Sequence, residues 1–195
     1  MQIDLDLLFT WGAIAKEYKK NEIIFHEDES ANFYYQIIDG CVRMYNSNDE
    51  GKEFTQGYFK NGQSFGEPPL FIDEAYPSTA VAFKDSKIIK ISKEKFLKIL
   101  EEYPFIQKQF LNLMATRIHT KARTTKDIVN QKPEFRILAF LNAHKNPESP
   151  KKELVAFTRQ EIANFTGLRV ETVIRELSRM SKTNKVEIIN HKLYY

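Results

Sequence analysis

The segment Thr158-Arg-Gln-Glu-Ile-Ala-Asn-Phe-Thr-Gly-Leu-Arg-Val-Glu-Thr-Val-Ile-Arg-Glu-Leu177 carries the clearest pattern in the chain. Thr158 precedes Glu161 by three residues, the spacing of a capping box, in which each side chain accepts from the other residue's backbone amide. A short helix therefore starts here, with Ile162, Ala163 and Phe165 turned inward. Gly167 supplies a turn. In the helix that follows, Val173, Leu177 and Met180 recur at i, i+4 and i+7 and form a buried face. Arg169, Glu171, Thr172, Arg175 and Arg179 are left to solvent. Two short helices, a glycine turn and a polar second helix describe a helix-turn-helix. The start of such a second helix enters the DNA major groove, where arginine bonds guanine O6 and N7 and glutamate accepts from cytosine N4. The plainer reading makes Glu171 and Arg175, four apart with the acid first, a surface ion pair.

Beyond this unit, Lys185-Val-Glu-Ile-Ile-Asn-His-Lys-Leu-Tyr-Tyr195 alternates and turns near Asn190-His191, as a β-hairpin wing does. Lys185, His191 and Lys192 are its candidate phosphate contacts. Charge follows the same division. Residues 1–130 hold 17 Lys+Arg against 19 Asp+Glu, whereas residues 131–195 hold 12 against 7. A basic C-terminal segment on a nearly neutral larger one suits a polyanion-binding module carried by a sensor.

Upstream, Pro133 opens a helix over Glu134–His144, and 146–150 reads as a loop. Before it, a helix beginning at Pro104 carries Ile106, Phe110, Leu113, Met114 and Ile118 as one apolar stripe. Such a stripe packs on its own domain or pairs with a twin helix, and pairing is the favoured expectation. Ser92 starts a shorter helix through Leu100. Further back the period is two. Glu22–Phe25, Phe33–Ile38, Cys41–Tyr45, Glu53–Phe59, Thr79–Phe83 and Lys87–Ile91 read as short strands, most of them followed by turn signals such as Asp39-Gly40 and Lys60-Asn-Gly62. That spacing predicts a small antiparallel roll. Pro68, Pro69 and Pro77 flank an irregular segment, and Leu5–Tyr18 reads as an amphipathic helix.

The single cysteine, Cys41, leaves no disulfide framework or multi-cysteine metal site, and in a strand it is read as a core residue. No apolar run approaches membrane-spanning length, and the start of the chain lacks a basic secretory region, so a cytoplasmic protein without a membrane partner is expected. A cupin-like small-molecule or metal-binding roll without DNA function is the alternative. Only His26 lies among the strands, and His26, His119, His144 and His191 are all read as surface residues. Neither an enzyme nor a cofactor is expected.

The sequence resembles the family of the cyclic AMP receptor protein and the fumarate-nitrate regulator over nearly its whole length. The resemblance is carried by Tyr34-Tyr35, Asp39-Gly40, Asp49–Glu53, Gly62-Gln-Ser-Phe-Gly-Glu67 and Leu70-Phe71 in the roll. In the last third it is carried by Thr158–Ile162, Gly167-Leu168 and Glu171-Thr-Val-x-Arg175. It implies an α+β architecture in three parts. Residues 1–103 would form a cyclic-nucleotide-binding-like β-roll (jelly roll), 104–129 a dimerisation helix, and 130–195 a winged helix-turn-helix. It further implies a homodimer on double-stranded DNA, with RNA polymerase as a partner. Base reading falls to Glu171 and Arg175, with Arg169 and Thr172 beside them, and phosphate contact to Thr158, Arg159, Gln160, His191 and Lys192. Ile174 replaces the glycine or serine usual at its position.

The effector region maps onto Phe65, Gly66, Glu67, Pro68, Pro77, Ser78 and Thr79, with Lys121 and Ala122 from the central helix. Pro77 stands where cyclic-AMP binders of the family have the arginine that holds the phosphate. The expectation is therefore either an unknown small molecule other than cyclic AMP or no ligand at all, with Lys121 or Arg123 available to restore a positive charge.

Overall fold

The computed structural model describes residues 3–49, 51–130, 132–145 and 152–195, the side chains of 123–130 excepted. The loop expected over 146–150 and the side chain of Arg123 thus lie outside the described residues. The chain divides into two compact units, Met1–His119 and Thr120–Tyr195.

In the first unit, α1 (Leu5–Thr10) precedes β1 (Ile14–Tyr18), β2 (Ile23–Phe25), β3 (Phe33–Asp39), β4 (Cys41–Ser47), β5 (Glu53–Lys60) and β6 (Ser64–Phe65). Then come α2 (Pro68–Ile72), β7 (Thr79–Ala82), β8 (Ser86–Ser92), α3 (Lys93–Glu102) and α4 (Pro104–Asn130), whose last turns belong to the second unit. The strands form two four-stranded sheets, ordered β1-β8-β3-β6 and β2-β7-β4-β5, with antiparallel pairing throughout. This is the expected roll. The long N-terminal helix is not formed as expected. Asp4 caps α1, which stops at Thr10, and Ile14–Tyr18 instead pairs with β8 from Ile14 opposite Lys90 to Tyr18 opposite Ser86. A free sheet edge offers these residues backbone partners that local helix propensity does not outweigh.

The interior of the roll is aromatic. Phe25 stacks on Tyr76 with ring centroids 3.7 Å apart, and Tyr35 stacks on Phe65 at 5.4 Å. A second group ties the helices down: Tyr34 lies parallel to Phe96 of α3 at 4.5 Å, and Phe110 of α4 meets Phe96 edge-on at 5.3 Å. Such pairs add to the burial of their large apolar area. The consequence corrects the expected dimer stripe. Ile106 and Phe110 are buried in their own unit, with Leu113 and Met114 packed against the same core. Ile118, four residues after Met114, is instead exposed, as are Leu111 and Ala115.

The second unit contains α5 (Pro133–His144), α6 (Arg159–Thr166), α7 (Val170–Lys182), β9 (Glu187–Ile189) and β10 (Lys192–Tyr194). Ile137, Phe140 and Leu141 of α5 pack with Ile162, Val173, Leu177, Met180, Val186 and Leu193 as its core. The isolated bridge from Leu154 to Tyr194 adds a third segment to the wing.

Truncating Phe110 to alanine removes the ring that joins α4 to Tyr34 and Phe96, and a loss of about 3–5 kcal/mol is expected. Trp11, the only tryptophan of the chain, packs on this core. Its fluorescence in a urea titration should therefore report an earlier transition. An unchanged midpoint would show that α4 is not held this way.

Candidate nucleic-acid interface and the roll carboxylate

The helix-turn-helix is built by local chemistry. The Thr158 hydroxyl accepts from the Glu161 amide at 3.1 Å and the Glu161 carboxylate accepts from the Thr158 amide at 2.6 Å, so both halves of the capping box are made. Gly167 ends α6 at φ 67°, a left-handed conformation that a side chain disfavours. Arg169 then takes the N-cap position of α7 in extended backbone and makes no side-chain capping bond. Its side chain is exposed, with Glu171, Ile174, Arg175, Ser178 and Arg179, whereas Thr172 is half-buried. Val173, Leu177 and Met180 are buried as the spacing predicts. Phe165 is only partly buried, because its ring lies edge-on to Phe140 near the rim of the core. Glu171 and Arg175 form none of the ion pairs observed among the described residues, so the plainer surface-pair reading has no support.

Two tethers set the wing against the helices. At its tip Asn190 and His191 both have positive φ, 48° and 61°, as a tight two-residue hairpin turn demands. The Arg159 guanidinium donates to the His191 carbonyl at 3.2 Å, joining the first turn of α6 to that tip. Partial burial holds this arginine below its ordinary pKa range. On the other side, the Glu134 carboxylate accepts from Lys185 at 2.6 Å and from Arg179 at 3.1 Å. These bonds, that of Lys185 first, hold Glu134 below the usual carboxylate range. Lys185, expected at phosphate, therefore already has a carboxylate partner, while His191 and Lys192 stand exposed. Gln160 is exposed and donates to Asn164 at 2.8 Å, and Arg136 of α5 donates to the Thr166 carbonyl. Among the histidines, His144 is exposed, in keeping with the surface reading, but one side of it is in contact with aromatic rings. Its ring packs against Phe140, Phe157 and Phe165, at 4.3, 4.9 and 5.3 Å.

In the roll, Phe65, Gly66, Glu67, Ser78 and Thr79 are buried, and Pro68 and Pro77 are exposed. Gly66 has φ 73° and no room for a side chain, since a Cβ would stand 3.0 Å from the Phe25 ring. The Thr79 hydroxyl accepts from the Glu27 amide at 3.0 Å, and the Pro77 carbonyl accepts from Asn46 at 2.6 Å. Glu67 is fully buried and needs a cation. Arg117 of α4 provides it: one guanidinium nitrogen donates to Glu67 Oε2 at 2.7 Å and another to the Ser64 carbonyl at 2.7 Å. Its guanidinium also lies 5.3 Å from the centre of the Phe59 ring. Burial first, and the Glu67 charge second, push the Tyr34 phenol well above its usual pKa.

Arg117 is not among the residues that the sequence motifs single out, although its spacing carries a signal. It follows Phe110 by seven residues and Met114 by three, so it continues the buried face on which Ile118 had been placed. Lys121 and Ala122 are exposed on α4. Among the described residues no three His, Cys, Asp or Glu side chains converge as a metal site would require.

Residues 15–103 match the cyclic nucleotide-binding domain model and residues 135–194 the Crp-like helix-turn-helix domain model. The chain belongs to the Crp/Fnr family. It is 29% identical over 175 residues to the cAMP-activated global transcriptional regulator CRP of Haemophilus influenzae, covering 87% of this chain and 78% of that protein. Over 188 residues it is 23% identical to the transcriptional activator protein anr of Pseudomonas aeruginosa, covering 94% and 77% of the two chains. In fold it is similar to the c-di-GMP responsive global regulator CLP of Xanthomonas campestris. That match has a TM-score of 0.85 at 21% identity and covers 97% of this chain and 96% of the other. As a Crp/Fnr member the chain is a DNA-binding transcription regulator.

Removing Arg117 leaves the Glu67 carboxylate buried without its partner, a change that costs about 3–5 kcal/mol. Arg117→Met should show this in the Trp11 transition, and Glu67→Leu combined with Arg117→Met should recover most of it. Equal stability of Arg117→Met and the parent would mean that the pair contributes nothing.

Proposed function

We propose that the protein regulates transcription as a cytoplasmic homodimer on a two-fold-related DNA site. It acts by binding rather than by catalysis, with RNA polymerase as its downstream partner. The observation that carries the reading is the face of α7, where Arg169, Glu171 and Arg175 are exposed and Glu171 and Arg175 are not spent on each other. In this reading Glu171 and Arg175 read base edges, Arg169 and Thr172 assist, and Thr158, Arg159, Gln160, His191 and Lys192 contact phosphate. No described helix is long and apolar enough to cross a membrane, in keeping with this setting.

The dimer seam is assigned to the outer face of α4. Leu111, Ala115, Ile118 and Ala122 follow one another at spacings of four, three and four, and all are exposed. That is the heptad spacing of a paired coiled coil, with alanines permitting close approach. A second copy of the chain fits this face because the stripe is self-complementary under two-fold symmetry. The division of labour follows as a roll over 1–103, a dimerisation helix over 104–129 and a DNA-binding unit over 130–195.

The effector is assigned to the roll, around Phe65, Gly66, Glu67, Pro68, Pro77, Ser78 and Thr79. Relatives include a cAMP-activated regulator, but here Pro77 brings neither charge nor donor, and Arg117 already engages Glu67. Among the described residues Glu67 Oε1 has no hydrogen-bond partner. An uncharged molecule with a hydroxyl group suits that buried acceptor better than a cyclic phosphate does.

Selection from a random duplex pool tests the reading. The expected product is a palindrome whose half-sites lie about 34 Å apart between centres. Arg175→Ala should lose about 1–3 kcal/mol of discrimination at one G·C pair, whereas Arg159→Ala should weaken all sequences alike. Aspartate at Leu111 and Ile118 should give a folded monomer in sedimentation. Failure to enrich any palindrome, or a dimer surviving both aspartates, would contradict it.

A further inference from the structure

Among the described residues of α7, Ile174 is the large aliphatic side chain left most in solvent, at 53% exposure, while Val173, Leu177 and Met180 are buried. On the helix surface it lies between Glu171, three residues before, and Ser178, four after, with Arg175 directly following. Single exposed apolar residues are ordinary on protein surfaces. This one is placed differently. It occupies the middle of the face that the proposed reading turns towards base edges, and a β-branched residue there improves neither helix propensity nor solubility.

We propose that Ile174 is a specificity-determining residue that recognises the C5-methyl group of a thymine within two base pairs of the one read by Arg175. The inference rests on the assignment of α7 as the base-reading helix and deepens it. The major-groove edges of the four base pairs are hydrogen-bonding atoms except for that methyl, which is their one apolar projection. A polar side chain gains nothing from it. The branched aliphatic group of Ile174 removes the methyl and itself from water together, a gain absent with cytosine or uracil at the same position. The glycine or serine implied at this place by the family resemblance has no comparable apolar reach, so the preference would belong to this chain. Its neighbours supply the hydrogen-bonding part of the code, and Ile174 supplies the shape.

The test uses the full-length protein and the site selected from the random pool. Each symmetry-related pair of thymines is replaced in turn by deoxyuridine, which removes the methyl and leaves every hydrogen-bonding atom in place. One pair should weaken binding by about fourfold per half-site, the weight of one buried methyl group. Ile174→Ser, a change at an exposed position, should bind the unmodified site more weakly and respond to no uracil. Tight, selective binding by the parent with indifference to uracil everywhere would overturn the inference while leaving α7 as the reading helix. A selected half-site without thymine near the Arg175 pair, or equal uracil sensitivity in parent and Ile174→Ser, would do the same. Absence of any sequence-selective binding would overturn both.

Discussion

A carboxylate with no exposure inside a β-roll must be neutralised, and the geometry of the first unit is arranged around that demand. Glu67 sits at the start of α2, directly after the left-handed Gly66, where the tight approach of Phe25 and Tyr76 fixes the backbone. Its charge is met by Arg117, which reaches from α4 and also takes the Ser64 carbonyl at the end of the roll. The aromatic contacts of Phe110 with Phe96 and Tyr34 hold the same helix two turns earlier. Polar and apolar anchors therefore act on one face of α4. An ion pair of this kind gives little net stability over an apolar substitute, but it specifies a partner, since a carboxylate left alone there is costly. The opposite face of α4, carrying Leu111 and Ile118, is thereby left outward.

In the second unit the analogous role falls to surface charges. Glu134 joins α5 to α7 through Arg179 and to the start of the wing through Lys185, while Arg159 joins α6 to the wing tip. Three of the basic residues that charge counting assigns to a polyanion are thus partly occupied in holding the unit together. Arg169, Arg175 and Lys192, which have no such bonds among the described residues, remain for outward contact.

Much of this was legible in the residues. The capping box at Thr158, the apolar spacing of α7 and the Asn190-His191 turn are local codes, and each was realised as written. The roll was legible because its strands alternate between turn signals. What escaped depended on partners distant in sequence. Ile14–Tyr18 became a strand because β8 offers it an edge, and β6 is too short to carry a period of its own. On α4 the apolar spacing points to Ile118, whereas the structure turns Arg117 inward, because a spacing read from apolar residues alone carries no sign of an arginine. Only the buried charge of Glu67, 50 residues earlier in the chain and adjacent in space, explains it.

In the proposed reading the roll of this regulator is closed on its own arginine, Arg117 on Glu67, and does not wait for a cyclic phosphate. This is tested most directly by titrating the selected palindromic duplex with the full-length protein, with and without saturating cyclic AMP. The same dissociation constant is expected in both titrations, with tight binding in the absence of any nucleotide. DNA binding that appears only when micromolar cyclic AMP is added would contradict it.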